Sequence, residues 1–331
     1  MKIMLDHPIL ARFAPLLRKE AGDGHEWLLA TKSDRDSDRD SDTARTRAEI
    51  AEVEVFIGAR MSEAVAAAAT KLRLVQVAGA GYDGIPIHAL PDTVAVANTF
   101  HHGKSIAEHV LMCTLMLSRQ VMATDRALRT GRWDNVAVQP DRPLAETLSG
   151  KRIGIIGLGE IGTEVARLCG ALGMRVRAVR RNPATPLPAD VHVDWVRGAD
   201  DLPMLLADAD FVVVTTPLTP GTTGLIGPAE LAAMGPGTAL INVARGPVVA
   251  EDALYEALRE RRIRAAALDV WWAAPPAPPS RLPFGELDNV IMTPHNSGHT
   301  RETFEERARE IAANIVRLER GEPLTNLLTR R

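Results

Sequence analysis

"KRIGIIGLGEIGTEVARLCGALGMRVRAVRR", residues 151–181, decides how the rest of the chain is read. An apolar run feeds directly into Gly157-Leu158-Gly159-Glu160-Ile161-Gly162, a G-x-G-x-x-G. Thr163–Leu172 follows, with Val165, Ala166, Leu168 and Cys169 spaced for the packed face of a helix. Gly173 ends that helix, and "MRVRAV" reads as a second strand. Strand, glycine turn, helix and strand together predict a dinucleotide-binding unit. Gly157 makes the tight turn, Gly159 lets the backbone approach a pyrophosphate, and Gly162 lets the helix lie close to the strand. The pyrophosphate then rests on the helix N-terminus, with its free N–H groups and positive dipole end.

A second G-x-G-x-x-G, Gly79–Gly84, occurs in "VQVAGAGYDGIPIHALP", residues 75–91. It follows a good strand, but its sequel fails. Pro86 and Pro91 each disfavour helix at the preceding residue, and no helix–strand pair follows. This copy predicts a strand-to-loop turn, whose glycines let bare backbone N–H groups face a ligand other than a dinucleotide.

The end of the second strand bears on the cofactor. An NAD site places Asp or Glu about 20 residues beyond the fingerprint, to accept from the ribose 2′-OH. Arg180 stands 18 residues beyond Gly162, and Arg181 follows it. Two guanidinium groups suit a 2′-phosphate, which favours NADP over NAD.

Outward from this segment the chain alternates strand and helix. "KIMLD", "EWLLA", "VEVFIGA", "LRLVQVAGAG" and "TVAVANT" read as strands, with helices over "HPILARFAPLLRKEAG" and "MSEAVAAAAT". This alternation predicts a parallel α/β sheet within residues 1–99. One long helix is expected from Ser105 to Arg129, apolar on more than one face and therefore buried or at an interface. "ADFVVVTTPLT", "TALINVARG", "IRAAALDVW" and "NVIMTPH" are short apolar runs of a second α/β unit, residues 100–296, and a last helix follows. The Asp/Arg tract from Thr31 reads as a solvated loop.

With 331 residues, two domains are expected, and 46% apolar composition supplies their cores. A net charge of −3 gives no basic surface for nucleic acid or membrane. Cys113 and Cys169 lie in apolar stretches and read as buried, reduced thiols. No CxxC or Cys/His spacing is present, so no metal site is read. No run reaches the roughly 20 apolar residues of a membrane span, and "MKIMLDHPILARFAPLLRKE" lacks a leader's apolar core; a cytoplasmic protein is expected.

The motifs taken together resemble the D-isomer-specific 2-hydroxyacid dehydrogenases over nearly the whole length. The resemblance rests on the 157–176 segment, "TTPLTPGTTGLIG", "ALINVARGPVVAEDAL", "ALDVW" and "NVIMTPHNSGHT" in family order, with "GAGYD" and "SIAEH" ahead of them. It implies two Rossmann-like parallel-sheet domains. A dinucleotide-binding domain, 100–296, is inserted into a flavodoxin-like substrate domain, 1–99 with 297–331, and the active cleft lies between them. It implies an NAD(P)-dependent oxidoreductase that moves hydride between nicotinamide and carbon 2 of a small 2-hydroxy or 2-oxo acid. Arg245 would bind the substrate carboxylate and carbonyl, and His295 would be the acid/base. The chemistry suits both: a bidentate guanidinium fixes a carboxylate, and imidazolium protonates an alkoxide near neutral pH. Glu160 and Ile161, Thr216 and Pro217, Val243 and Ala244, Asp269 and His295 would line the cofactor. Ala80 and Gly81 would hold the substrate carboxylate through their N–H groups, which gives the second glycine motif its task.

One departure stands out. Five residues beyond Asp269, where the family places a Glu that pairs with the histidine, this chain has Ala274. A His295 without that glutamate is less firmly oriented and less basic, so reduced activity, or a reduction optimum at lower pH, is expected. "DVWW…P" and Ser297-Gly298 resemble the formate dehydrogenase branch, an alternative using NAD. That branch, however, has a longer N-terminal region and an Asn where this chain has His102. His102 and Ser297 are expected on the substrate side. A third possibility is an NAD(P)-sensing binding protein with a weakened catalytic pair, against which the intact Arg245 and His295 argue. "HHGKS", 101–105, lacks the upstream glycine of a phosphate loop, and an adjacent His pair is a poor metal site. The 105–129 helix resembles the family's dimerisation segment, so a homodimer is expected.

Overall fold

A computed structural model describes residues 1–29, 48–142 and 144–328. The Asp/Arg tract, through residue 47, lies outside them. The chain divides into two compact units, Met1–His101 with His299–Arg331, and His102–Gly298.

Among the described residues, the first unit carries five strands: β1 (Lys2–Asp6), β2 (Glu26–Leu29), β3 (Val55–Gly58), β4 (Leu74–Val77) and β5 (Ala95–Ala97). They pair in the order β2-β1-β3-β4-β5, every pair parallel. This is the flavodoxin-like order. β3 and β4 are buried along their whole length, as expected for strands covered on both faces. α1 (Ala14–Ala21) buries Ala14, Leu17 and Ala21 and stops at Gly22, whose φ of +88° suits glycine. α2 (Glu63–Ala68) starts at Ser62, whose hydroxyl accepts from Val65 N–H at 3.2 Å. The last helix of the chain belongs to the same core: Phe304, Ala308, Ile311, Ala312 and Ile315 pack with Ile3, Leu5 and Val55.

The second unit opens with helices. The single helix expected over 105–129 is two, α3 (Gly103–Arg119) and α4 (Val121–Arg129). Gln120 between them is left-handed, φ 51° and ψ 38°, and its side-chain oxygen accepts from Arg142 Nη2 at 2.9 Å. Next come β6 (Arg152–Ile156), α5 (Glu160–Ala171), β7 (Arg175–Val179), β8 (Trp195–Arg197), α6 (Leu202–Ala207) and β9 (Phe211–Val214). The unit continues with α7 (Pro228–Ala233), β10 (Ala239–Asn242), α8 (Glu251–Arg259), β11 (Ala265–Leu268) and β12 (Val290–Met292), and α9 (Arg301–Arg320) lies beyond it. The seven described strands run β12-β11-β10-β9-β6-β7-β8, all parallel. Read from β8, this is the doubly wound order with one strand added, and the winding reverses between β6 and β9. β9, β10 and β11 are buried throughout. β8 was not legible as a strand: it has three residues, half exposed, at the sheet edge. The expectation of two parallel-sheet α/β domains is met.

Candidate active site

In an open parallel sheet, ligands bind outside the carboxyl ends of the strands, where the winding reverses. In the second unit that edge carries the glycine loop after β6, Arg180–Arg181 after β7 and Thr216–Pro217 after β9. It also carries Val243–Arg245 after β10, Asp269 after β11 and His295 after β12. Residues from 157 to 295 thus meet on one rim, because every strand points the same way.

The three loop glycines differ in kind. Gly157 has φ +98°, and a Cβ there would sit 2.8 Å from Thr216 N. Thr215 Oγ1 also donates to the Gly157 carbonyl, so the turn is locked to the end of β9. A Cβ on Gly162 would strike the Gly157 carbonyl oxygen and come within 3.1 Å of Ile155 Cγ2. Gly159, by contrast, has nothing within 4 Å of a Cβ position. It caps α5, whose first N–H groups lack intrahelical partners. Two glycines therefore shape the loop, and the third leaves open space above a helix N-terminus, which fits a dinucleotide pyrophosphate. Ile161 packs into the core beneath, and Glu160 is exposed beside Gly103 at the start of α3.

The arginine pair divides. Arg180 turns inward, donating to the carbonyls of Leu158 (3.4 Å), Pro183 (3.3 Å) and Thr185. It braces the glycine loop against the turn after β7. Arg181 is exposed and makes no hydrogen bond or ion pair among the described residues.

Arg245 is set by a residue that sequence reasoning missed. Asn242, fully buried at the end of β10, accepts from Ala244 N–H (3.1 Å) and donates to the Arg245 carbonyl (3.1 Å). The turn so formed carries Arg245 out of the buried Val243-Ala244 pair, half exposed, with Nη1 on the Ala244 carbonyl at 2.9 Å. A polar residue closing an otherwise apolar strand, "ALIN", was the available signal.

His295 is exposed with φ 57°, on a loop held from beneath by Asp269. That carboxylate is 1% exposed and accepts from Thr293 Oγ1 (2.6 Å), Asn296 N–H (3.0 Å) and Ser297 N–H (3.0 Å). Burial opposes its charge, but the hydrogen bonds from Ser297, Thr293 and Asn296 outweigh it and hold the carboxyl below its ordinary range. The polar groups of Asp269 and Ser297, expected on cofactor and substrate, are thus engaged within the loop. The Ser297 carbonyl also accepts from Ser105 Oγ at 2.7 Å. The Thr293 hydroxyl gives its one proton to Asp269, so His109 Nε2, 3.4 Å away, is the donor toward it. Burial lowers the His109 pKa against the pull of the Asp269 charge. Ala274 is exposed in the segment after β11.

Ala80 and Gly81 lie on the first unit's own sheet, past the end of β4. The Gly79 carbonyl accepts from Thr99 N–H (3.2 Å), and the Ala80 carbonyl from Asn98 Nδ2 (2.9 Å). A trans peptide sets its N–H opposite its C=O, so the Ala80 and Gly81 N–H groups point away from β5. Neither amide has a hydrogen-bond partner among the described residues. Behind this nest Arg307, 8% exposed, donates from Nε to the Phe100 carbonyl (3.0 Å), with Nη2 3.9 Å from a Cβ position on Gly79. Arg307 was missed in the sequence, although a cation inside the Phe304–Ala308–Ile311 stripe marks it. His102 is buried and precedes α3, its carbonyl accepting from Ile106 N–H at 2.9 Å.

Residues 111–297 match the sequence model of the D-isomer specific 2-hydroxyacid dehydrogenase, NAD binding domain. The chain belongs to this family. It is 33% identical over 331 residues to D-3-phosphoglycerate dehydrogenase of Archaeoglobus fulgidus, a match covering 98% of this chain and 59% of that one. It is 35% identical to glyoxylate reductase of Korarchaeum cryptofilum, over 79% of this chain and 77% of the other. The chain spans 59% and 50% of the length of the two archaeal phosphoglycerate dehydrogenases it matches. A 2-hydroxyacid dehydrogenase of the family from Xanthobacter autotrophicus Py2, solved in complex with NADPH and MES, aligns with TM-score 0.79 and 31% identity, over 99% of this chain and 98% of that one.

Proposed function

We propose that this chain is an NADPH-dependent 2-hydroxyacid dehydrogenase that works as a 2-keto acid reductase. The observation that carries the reading is the shared rim: an open glycine cradle, Arg245 and His295 on the carboxyl edge of one parallel sheet. Gly157, Gly159 and Gly162 with Arg181 would hold the dinucleotide, which would supply a hydride for carbon 2 of the acid. Arg245 holds the carboxylate and polarises the carbonyl with its planar pair of donors. His295, as imidazolium, gives its proton to the carbonyl oxygen as negative charge develops there, and the 2-hydroxy acid results. The Ala80 and Gly81 N–H groups serve a carboxylate, with the Arg307 charge behind them.

Arg181 supports NADP: it is the exposed guanidinium at the end of β7, with no hydrogen bond or ion pair among the described residues, suited to a 2′-phosphate, and the Xanthobacter relative holds NADPH. A homodimer through α3, α4 and the segment after them is supported by Met112, Leu115, Val121, Met122, Leu128 and Trp133, all exposed and apolar. Buried free thiols at Cys113 and Cys169, pushed up to about 12 by burial, suit a reducing cytoplasm.

The test is a panel of 2-keto acids, including glyoxylate and hydroxypyruvate, each assayed with NADPH and NADH. Turnover with NADPH preferred is expected. Cofactor binding without turnover on any 2-keto acid overturns the reading.

A further inference from the structure

The proposed chemistry asks two residues on separate loops to act on one small molecule. Arg245 leaves β10 and His295 leaves β12, and β11 runs between those strands. The segment leaving β11, Asp269–Trp272, therefore stands between the two loops, and it is fastened to both.

On the Arg245 side the fastening is steric. Gly246, the next residue, has no side chain, and the Trp271–Trp272 peptide occupies that space: a Cβ on Gly246 would strike the Trp271 carbonyl and lie 2.7 Å from Trp272 N. Trp272 adds a second hold, donating from Nε1 to the Val249 carbonyl at 2.8 Å, its ring stacked on Phe284 at 5.4 Å between centroids. On the His295 side the fastening is polar. Trp271 Nε1 donates to the Thr293 carbonyl at 2.9 Å, two residues before the histidine. The Asp269 carboxylate takes Thr293 Oγ1 and the amides of Asn296 and Ser297, on both flanks of it. The Trp271 ring itself stands edge-on against this stack, 6.4 Å from the Trp272 ring and 6.3 Å from that of Phe284.

We infer that Asp269–Trp272 is a spacer that sets the separation of Arg245 from His295, with Trp271 and Gly246 as positioning residues. This rests on the dehydrogenase reading above. A tryptophan at 271 is needed for a reason that neither apolarity nor ring size covers: its N–H reaches the backbone of the histidine loop while its own backbone fills the gap over Gly246.

Trp271→Phe keeps an aromatic ring against the Trp272–Phe284 stack and removes the N–H. A displacement of the reacting groups by a fraction of an ångström lowers the rate without loosening the cofactor, so kcat for the best keto acid of the panel falls roughly tenfold. The Kd for NADPH and the melting temperature stay near those of the unaltered protein. The pKa seen in the pH–rate profile also holds, because the histidine's charge environment is intact. An unaltered kcat overturns the inference, as does a loss of rate matched by an equal loss of NADPH affinity. Should that variant fold poorly, Trp272→Phe, which keeps a ring on Phe284 and removes the N–H held by the Val249 carbonyl, loosens the same segment on the Arg245 side and is judged by the same readouts. Arg245→Met and His295→Gln are measured alongside. If either retains full activity, the dehydrogenase reading falls and the spacer with it. If both are inactive while Trp271→Phe is unaffected, the spacer alone falls.

Discussion

Gly159 and Gly162 look alike in a motif and differ in what a side chain would meet. Gly159→Val leaves the fold in place, since nothing lies within 4 Å of the new Cβ, but it fills the space over the first turn of α5. NADPH affinity, measured by titration of its fluorescence, falls at least tenfold while the melting temperature holds; equal affinity would show that the pyrophosphate lies elsewhere. Gly162→Ala does the reverse: its methyl drives into the Gly157 carbonyl, and the cost is of the overpacking kind, about 1–3 kcal/mol. Asp269 gives the second residue-scale prediction. Its folded pKa lies below its ordinary 3.8, so its stabilisation is complete above that value and is lost as pH falls through the lower, folded one. Asp269→Asn turns an amide donor onto the Ser297 and Asn296 N–H groups and costs about 2 kcal/mol near neutral pH. Melting temperatures of the two proteins then converge as pH falls below 3.8 and through the lower, folded value; a constant gap would deny the carboxylate this role. The glycines were legible because their partners are local. The work of Asp269 was not, because its partners lie 24 to 28 positions away and reach it only through strand order.

At the scale of elements, burial on both faces explains why the strands read so plainly. β9, β10 and β11 are apolar at nearly every position, and each is followed by the residue that turns it out of the sheet. Close packing has a test in β6. A Cβ on Gly154 would strike Leu205 of α6 and lie 2.8 Å from its Cγ. Gly154→Ala is expected to destabilise by about 1–3 kcal/mol in chemical denaturation, and the double variant with Leu205→Ala to lose less than the sum of the two single losses. Simple additivity of the two would mean they do not share the space. Where sequence reading failed, local signals were missing. Arg119-Gln120-Val121 contains neither Gly nor Pro, and Gln is a good helix former, yet Gln120 is left-handed and held by Arg142 from a distant loop. β8 offered three half-exposed residues, too few for any periodicity.

At the scale of the molecule, the proposed homodimer concerns surface that folding leaves apolar. Leu128 on α4 is 54% exposed. Burying a charge there costs association at least about 2 kcal/mol, so Leu128→Glu weakens the dimer roughly thirtyfold. Light scattering across a dilution series should show monomer at concentrations where the unaltered protein is dimeric, with the far-UV spectrum unchanged; identical masses would move the interface elsewhere. The two-sheet organisation was legible because strand–helix alternation runs through both halves. The nest of Ala80 and Gly81 was legible only as a glycine pattern with a failed sequel, and its direction waited on Asn98 and Thr99.

The first unit's core includes Phe304, Ala308, Ile311 and Ile315, contributed after the whole second unit has passed. A ribosome delivers the chain in the other order. The strands of residues 1–101 emerge first, and the apolar surface that α9 covers stays open until nearly two hundred more residues have been made. The second unit, continuous in sequence, has all its strands available while the first still waits. The first unit therefore completes its core only once α9 has emerged, and it is the earlier-made of its two segments that calls for protection in the interval.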